Sequence, residues 1–112
     1  MRIKVSEATN PQLNWLVAKA RGIKVKQGPN GILYTIDQHT LTVYSPTTNW
    51  SQGGPLIDLW KVDVVHQGQH PEPWHAAVRC ETGNGPTPLI AVIRAHVTSD
   101  MGEEVEVPEG LT

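Results

Sequence analysis

Apolar and polar side chains alternate through the opening MRIKV with the two-residue period of a strand. Thr9-Asn10-Pro11 then supplies a capping residue and a proline at the first helical position, which predicts a helix over 11–21 that stops at Gly22. Leu13, Leu16, Val17 and Ala20 fall on one stripe of this helix; Trp15 lies opposite, beside Lys19 one turn on. Ile23-Lys24-Val25-Lys26 alternates again, Gly28-Pro29-Asn30-Gly31 is turn chemistry, and 32–36 is β-branched and aromatic enough to be the returning strand of a hairpin. Beyond a polar break at Asp37-Gln38-His39, Thr40-Leu41-Thr42-Val43-Tyr44 resumes the alternation and delivers the chain into YSPTTNWSQGGP, residues 44–55.

Gly53-Gly54-Pro55 reads as the opening of a short helix over 56–60, whose exit through 61–65 is extended. Residues 67–73, rich in Gly, Gln, His and Pro, have no periodicity and predict a surface connection. Trp74, Ala76, Val78 and Cys80 alternate with His75, Ala77, Arg79 and Glu81, so a strand with one buried face is expected, with Cys80 turned inward and unreactive. Gly83-Asn84-Gly85-Pro86 reads as a hinge before Thr87-Pro88, a second cap with first-turn proline. The strongest helix follows over 89–101. Leu89, Ile90, Ile93, Val97 and Met101 form its apolar face, and Ala91, Ala95 and Ser99 a second face small enough for close approach by another element. Gly102 ends it, and Glu103-Glu104-Val105-Glu106-Val107 reads as a last, edge-like strand. The pattern is that of one α+β domain over 1–112, with a small, mostly antiparallel sheet at its centre and two to three helices.

With 112 residues the chain can bury only about two thirds of its unfolded surface, so one core is expected. Phe is absent and Trp occurs four times, which leaves Val, Ile and Leu to fill that core around large single anchors. A formal charge of -2 argues against a protein that coats DNA or RNA through phosphate contacts. Cys80 is the single cysteine, no signal segment opens the chain, and no apolar run approaches the roughly 18 residues of a membrane span. A soluble protein of the reducing cytoplasm, with no membrane partner, is the expectation.

A helix start leaves backbone N–H groups unpaired and carries partial positive charge, which makes a glycine-rich start a seat for an anion. Two such stretches occur, Ser51-Gln52-Gly53-Gly54-Pro55 and Gly83-Asn84-Gly85-Pro86-Thr87-Pro88. Neither has Walker or dinucleotide-binding spacing, and capped turns are the competing explanation for both. Trp50 can stack on a base or ring, a contact worth about 1–3 kcal/mol, while Ser45, Thr47, Thr48, Asn49 and Gln52 offer hydrogen bonds. Alternatively Trp50 plugs the end of the sheet and the polar side chains bond to their own loop. Arg79 and Arg94 are the candidate counter-charges, with Thr87 at the second start; solvated arginine is the other reading. Trp15 with Lys19 suits a subunit contact, a pocket lid or packing under the hairpin, and Trp15 and Trp60 are candidate partner anchors.

Catalytic chemistry is not legible. His66, His70 and His75 are close in sequence, yet Gly68 and Pro71 break any helix that would align them and no ligand set completes a metal site. His96 is expected to be a hydrogen-bonded core histidine. Asp58 and Asp63 show no pairing tuned for acid–base work, no Gly-x-Ser-x-Gly elbow is present, and the acidic residues Asp100, Glu103, Glu104, Glu106 and Glu109 suit a solvated end. No cofactor is implied.

Three blocks resemble the NinX-like family of small proteins of lambdoid phages. They are Leu13-Asn14-Trp15-Leu16-Val17-Ala18-Lys19, the whole loop 44–55, and Gly85-Pro86-Thr87-Pro88-Leu89-Ile90-Ala91 continuing to Gly102-Glu103-Glu104-Val105-Glu106-Val107-Pro108. The resemblance implies an early accessory protein working in the cytoplasm of an infected bacterium, and it supplies no catalytic residues. Two functions fit: a non-enzymatic binder of a small anionic, nucleotide-like ligand that blunts a host defence, or a protein-binding module that modulates a host or phage enzyme. Either is compatible with a homo-oligomer.

Overall fold

The computed structural model describes residues 1–37 and 40–111, so the break at Gln38 and His39 lies outside the described residues. Strand β1 (Arg2–Lys4) and a 3-10 turn over Val5–Glu7 lead to a helix that local chemistry starts and stops. The Thr9 hydroxyl accepts from the Gln12 N–H at 3.4 Å, and Gln12 Oε1 accepts from the Thr9 N–H at 2.9 Å, a reciprocal box that satisfies two otherwise orphaned donors. Helix α1 (Asn10–Arg21) follows and ends at Gly22, whose φ of 68° is left-handed. Leu13, Leu16, Val17 and Ala18 are fully buried; Trp15 is half-buried against the same core, with Lys19 Nζ 5.3 Å from its ring centroid.

The hairpin forms with a shorter first strand than the alternation predicts. Ile23 and Val25 pack against the core, and only β2 (Lys26–Gln27) pairs with β3 (Leu33–Asp37). A 3-10 turn over Pro29–Gly31 joins them, and β4 (Thr40–Val43) completes the sheet in the order β2-β3-β4.

Helix α2 (Trp50–Leu59) starts six residues before the expected position, so Gly53, Gly54 and Pro55 lie inside it. These are poor helix formers, and packing overrides their propensity. A Cβ on Gly53 would collide with the Pro46 carbonyl oxygen and lie 3.1 Å from Leu89, so this turn of helix can rest on its neighbours only with glycine there. The chain then enters a second sheet of β5 (Asp63–His66), β6 (Trp74–Val78) and β7 (Glu81–Gly85). Two expectations fail in this sheet. Strand β6 ends at Val78, and Arg79-Cys80 forms the turn, which leaves Cys80 exposed where alternation placed it inward. The expected hinge over 83–86 is largely β7, paired with β6 from Trp74↔Gly85 to Val78↔Glu81.

Thr87 caps α3 (Pro88–Met101), its hydroxyl accepting from the Ile90 N–H at 3.3 Å. This helix is buried on both sides. Ile90, Ile93 and Val97 join α1, Leu56 of α2, Leu33 and Tyr44 in one core, while Ala91, Val92 and Ala95 meet Val62, Ala76 and Val78 in another. Its small-residue face is where β7 crosses: a Cβ on Gly83 would collide with the Ala95 backbone nitrogen and lie 2.7 Å from the Ala91 oxygen. One on Gly85 would lie 2.9 Å from the Ala91 nitrogen. After Gly102 the chain returns as β8 (Glu104–Glu106) beside β1, and Val105, Val107 and Leu111 close the first core. Buried Gln12 donates to the Leu111 carbonyl at 2.8 Å and ties the tail down.

The architecture is therefore α+β, with three helices among the described residues and antiparallel pairing throughout. In place of one central sheet there are three small ones of two, three and three strands; β5-β6-β7 and β8 lie on α3, and the hairpin sheet meets α1 through β3. Gly83→Ala should cost about 2–3 kcal/mol in urea unfolding, the upper part of the range for overpacking, because backbone atoms of α3 cannot rotate away as a side chain can.

Candidate functional site

The loop that joins β4 to α2 spends most of its polar groups on itself and on α1, while the buried Thr47 hydroxyl has no partner among the described residues. Asn14 from α1 braces it, accepting from the Thr47 N–H at 3.0 Å and donating to Ser45 Oγ at 3.3 Å. Gln52 reaches back from α2, accepting from the Ser45 N–H at 2.6 Å and donating to the Val43 carbonyl at 2.9 Å. Ser45 and Thr48 share a hydroxyl–hydroxyl bond of 2.7 Å, and Asn49 caps α2 by accepting from the Ser51 N–H at 2.9 Å. Pro46 and Thr47 are buried, as is Tyr44, whose phenol pKa burial pushes up against the opposing charge of Arg21. Trp50 is 56% exposed and lies over Gly54 of its own helix.

The two glycine-rich stretches both serve to pack against α3. Buried Gly53 faces Leu89 in the first turn of α3, while Gly83 and Gly85 face the body of α3. Thr87 turns its hydroxyl to Ile90 and its carbonyl to the Ala91 N–H at 3.1 Å. No hollow joins Trp50 to the second stretch among the cavities described.

The two arginines differ from expectation in opposite ways. Arg94, nearly buried, donates to Glu72 Oε2 at 2.6 Å, to the Asn84 carbonyl at 2.9 Å and to the Ala8 carbonyl at 3.2 Å, so it clasps α3 to β7, the 67–73 connection and the segment before α1. Its charge is already matched. Arg79, expected on a rigid strand, sits in the β6–β7 turn with a left-handed φ of 56°, exposed.

Arg79 borders a groove of about 360 Å³ with Leu59, Trp60, Lys61, Val78 and His96. Trp60 caps α2 and stacks flat on His96 of α3, ring centroids 3.6 Å apart and planes 1° from parallel. His96 is 9% exposed and, against expectation, its Nδ1 is buried with no hydrogen-bond partner. Burial lowers the pKa of this imidazole, the Asp100 carboxylate opposes that and the Arg79 charge reinforces it. The remaining described histidines are engaged elsewhere: His66 Nδ1 accepts from the Gly68 N–H, His70 Nδ1 from the Glu72 N–H, and His75 Nδ1 meets Asn84 Oδ1 at 2.7 Å. Among the described residues no three His, Cys, Asp or Glu gather as a metal site would require.

A second surface was missed in sequence. Pairing of Tyr34 with Val43 and of Ile36 with Leu41 sets these four side chains on one face of the hairpin sheet, where Ile36, Leu41 and Val43 are 62%, 61% and 50% exposed. The inward face carries Leu33 and Tyr44, both buried. Apolar residues on both parities of the paired strands are the signal that could have found this face.

A family model described as Bacteriophage P22, NinX matches residues 4–100. This chain belongs to that family. The resemblance carried by the first two sequence blocks and by 85–91 of the third thus stands, and the match takes in the braced loop, the groove at His96 and the hairpin face. Strand β8 and the tail through Leu111 lie beyond the matched span, although this NinX-family chain uses them to close its core. Among curated proteins no sequence matches. No helix over the described residues is long and apolar enough to cross a membrane.

Because the fold favours neutral His96, the unfolded chain takes up the proton first as pH falls below the ordinary imidazole value of 6.5. Stability should therefore be insensitive to this group above that pH and decline below it. Urea midpoints compared between pH 8 and 5.5 should fall less in His96→Phe, which keeps a ring on Trp60, than in the natural protein.

Proposed function

We propose that this protein is a non-enzymatic interaction module of the phage, acting inside the infected bacterium, whose hairpin sheet receives a partner protein on its outward apolar face and along the free edge of β4. The observation that carries this reading is the side-by-side exposure of Ile36, Leu41 and Val43 on a strand pair with one unpaired edge. Contiguous apolar surface of this kind marks interaction sites, and fully burying each such side chain is worth about 1.5–3 kcal/mol.

The backbone supports the same use. Tyr44 N–H donates to the Leu33 carbonyl, so in the alternating ladder of an antiparallel pair Leu41 and Val43 turn their own N–H and C=O groups away from β3. Gln52 covers the Val43 carbonyl, which leaves both N–H groups and the Leu41 carbonyl for an added strand. The β1–β8 ribbon is guarded. Arg2, Lys4, Glu104 and Glu106 line the β1–β8 ribbon with charge, whereas Thr40–Val43 has neither a charged side chain nor a proline.

Trp15 and Trp60, half-buried in the cores, leave the anchoring to the hairpin, and the small-anion reading moves from the braced loop to the groove at His96. A photo-crosslinker at Leu41 should yield one discrete adduct in infected cells, whose mass also tells a second copy of this chain from another protein. In Ile36→Thr with Leu41→Thr, stability should stay within about 1 kcal/mol and partner recovery through a tag should fall at least about tenfold. Undiminished recovery, or equal crosslinking from exposed Glu103, would contradict the reading.

A further inference from the structure

The groove between α2 and the β6–β7 turn brings two cations beside a buried imidazole, and it is separate from the hairpin face. We propose that it binds a phosphate group, held between Lys61 and Arg79 with the His96 ring as a third donor and the Trp60 edge and Val78 as its apolar walls. Its volume of about 360 Å³ falls within the range of small-ligand pockets.

Three features converge there. Lys61 and Arg79 come from different elements, the end of α2 and the β6–β7 turn, and both border the groove. Each also holds a left-handed backbone, φ 54° and 56°, at a cost of about 1–2 kcal/mol relative to glycine, so the chain keeps a cation at two places where glycine would sit without strain. His96 supplies the observation that points to a ligand. It lines the groove more than nine-tenths buried; its Nδ1 is closed off without a partner, a deficit that costs about 1–3 kcal/mol and that an apolar ring of similar shape would avoid, and Nε2 is the ring nitrogen left to meet a ligand.

The surrounding charges leave the seat available. Asp58 meets Lys61 at 3.4 Å, but both side chains are solvated and such pairs are worth under about 1 kcal/mol. Asp58 and Asp100 do not line the groove, whereas Lys61, Arg79 and His96 do. A bound oxyanion would offset the burial that keeps the imidazole neutral; once protonated, both ring nitrogens donate. Arginine and imidazolium donors in a partly buried site give the shorter, stronger class of hydrogen bond.

The test is an imidazole-detected NMR titration of the whole protein at constant ionic strength with sodium phosphate, adenosine 5′-monophosphate and adenosine, using sodium chloride as the blank. His66, His70 and His75 serve as internal controls. Saturable shifts at His96 with the phosphate-bearing probes, and a rise of its titration midpoint by about one pH unit at saturation, are expected. Tighter binding of the monophosphate than of inorganic phosphate would make a nucleotide the source, and equal binding would make it phosphate itself. Arg79→Gly removes the cation while relieving the backbone, so it should unfold no earlier than the natural protein yet bind about tenfold more weakly or worse. A His96 response no greater than the chloride blank, equal saturation by adenosine, or unchanged affinity in Arg79→Gly would overturn the proposal.

Discussion

A helix backbone resting on a strand backbone, with glycines on one side and alanines on the other, is the contact on which the remainder of this molecule depends. Gly83 and Gly85 leave no room for a Cβ against Ala91 and Ala95, and that closeness lets α3 lie in the sheet's hollow with its other side free to carry Ile90, Ile93 and Val97. One helix thereby separates two apolar cores and belongs to both. The same seating sets its polar residues. Arg94 reaches Asn84 and Glu72, and His96 meets Trp60, because the helix axis sits as near to β7 as backbone atoms permit.

Where structure follows from residues next to one another, the sequence is a good guide. The Thr9–Gln12 box and Gly22 delimit α1, Thr87-Pro88 and Gly102 delimit α3, and alternation finds the hairpin and β6. The family was legible for the same reason, in blocks centred on these caps and on the loop. The misreadings share a different cause. By local chemistry Gly53 reads as the opening of a helix and Gly83 as a hinge before one, yet each is glycine because a distant element needs the space, Pro46 and Leu89 in one case and α3 in the other. Propensity cannot register a neighbour that is remote in sequence. Cys80 was carried inward by parity because Arg79-Cys80 lacks the Asn or Gly that announces a two-residue turn.

The candidate site was legible as a set of residue types and not as a place. Ser45, Asn49 and Gln52 do have directional hydrogen bonds to give, but neighbours absorb them: Asn14, outside the loop, takes up Ser45, Asn49 accepts from the Ser51 N–H, and Gln52 holds the Ser45 N–H and the Val43 carbonyl. Of the expected cations, Arg94 is matched by a carboxylate from a connection read as irregular, and Arg79 gains a setting only through a groove built with α2 and α3. What remains open to partners therefore lies in two separate places: a neutral strand edge with an apolar face, and a cationic groove beside a buried imidazole. The first suits an extended protein segment; the second suits a small anion.

Amide hydrogen exchange on the whole protein tests the dependence on the α3–β7 contact most directly. Amides of α3 from Ala91 to Val97 and the paired amides of β6 and β7 should exchange together, only through global unfolding, while the β3–β4 pair opens locally and exchanges sooner. Exchange of those α3 and β7 amides as fast as, or faster than, the hairpin would contradict it.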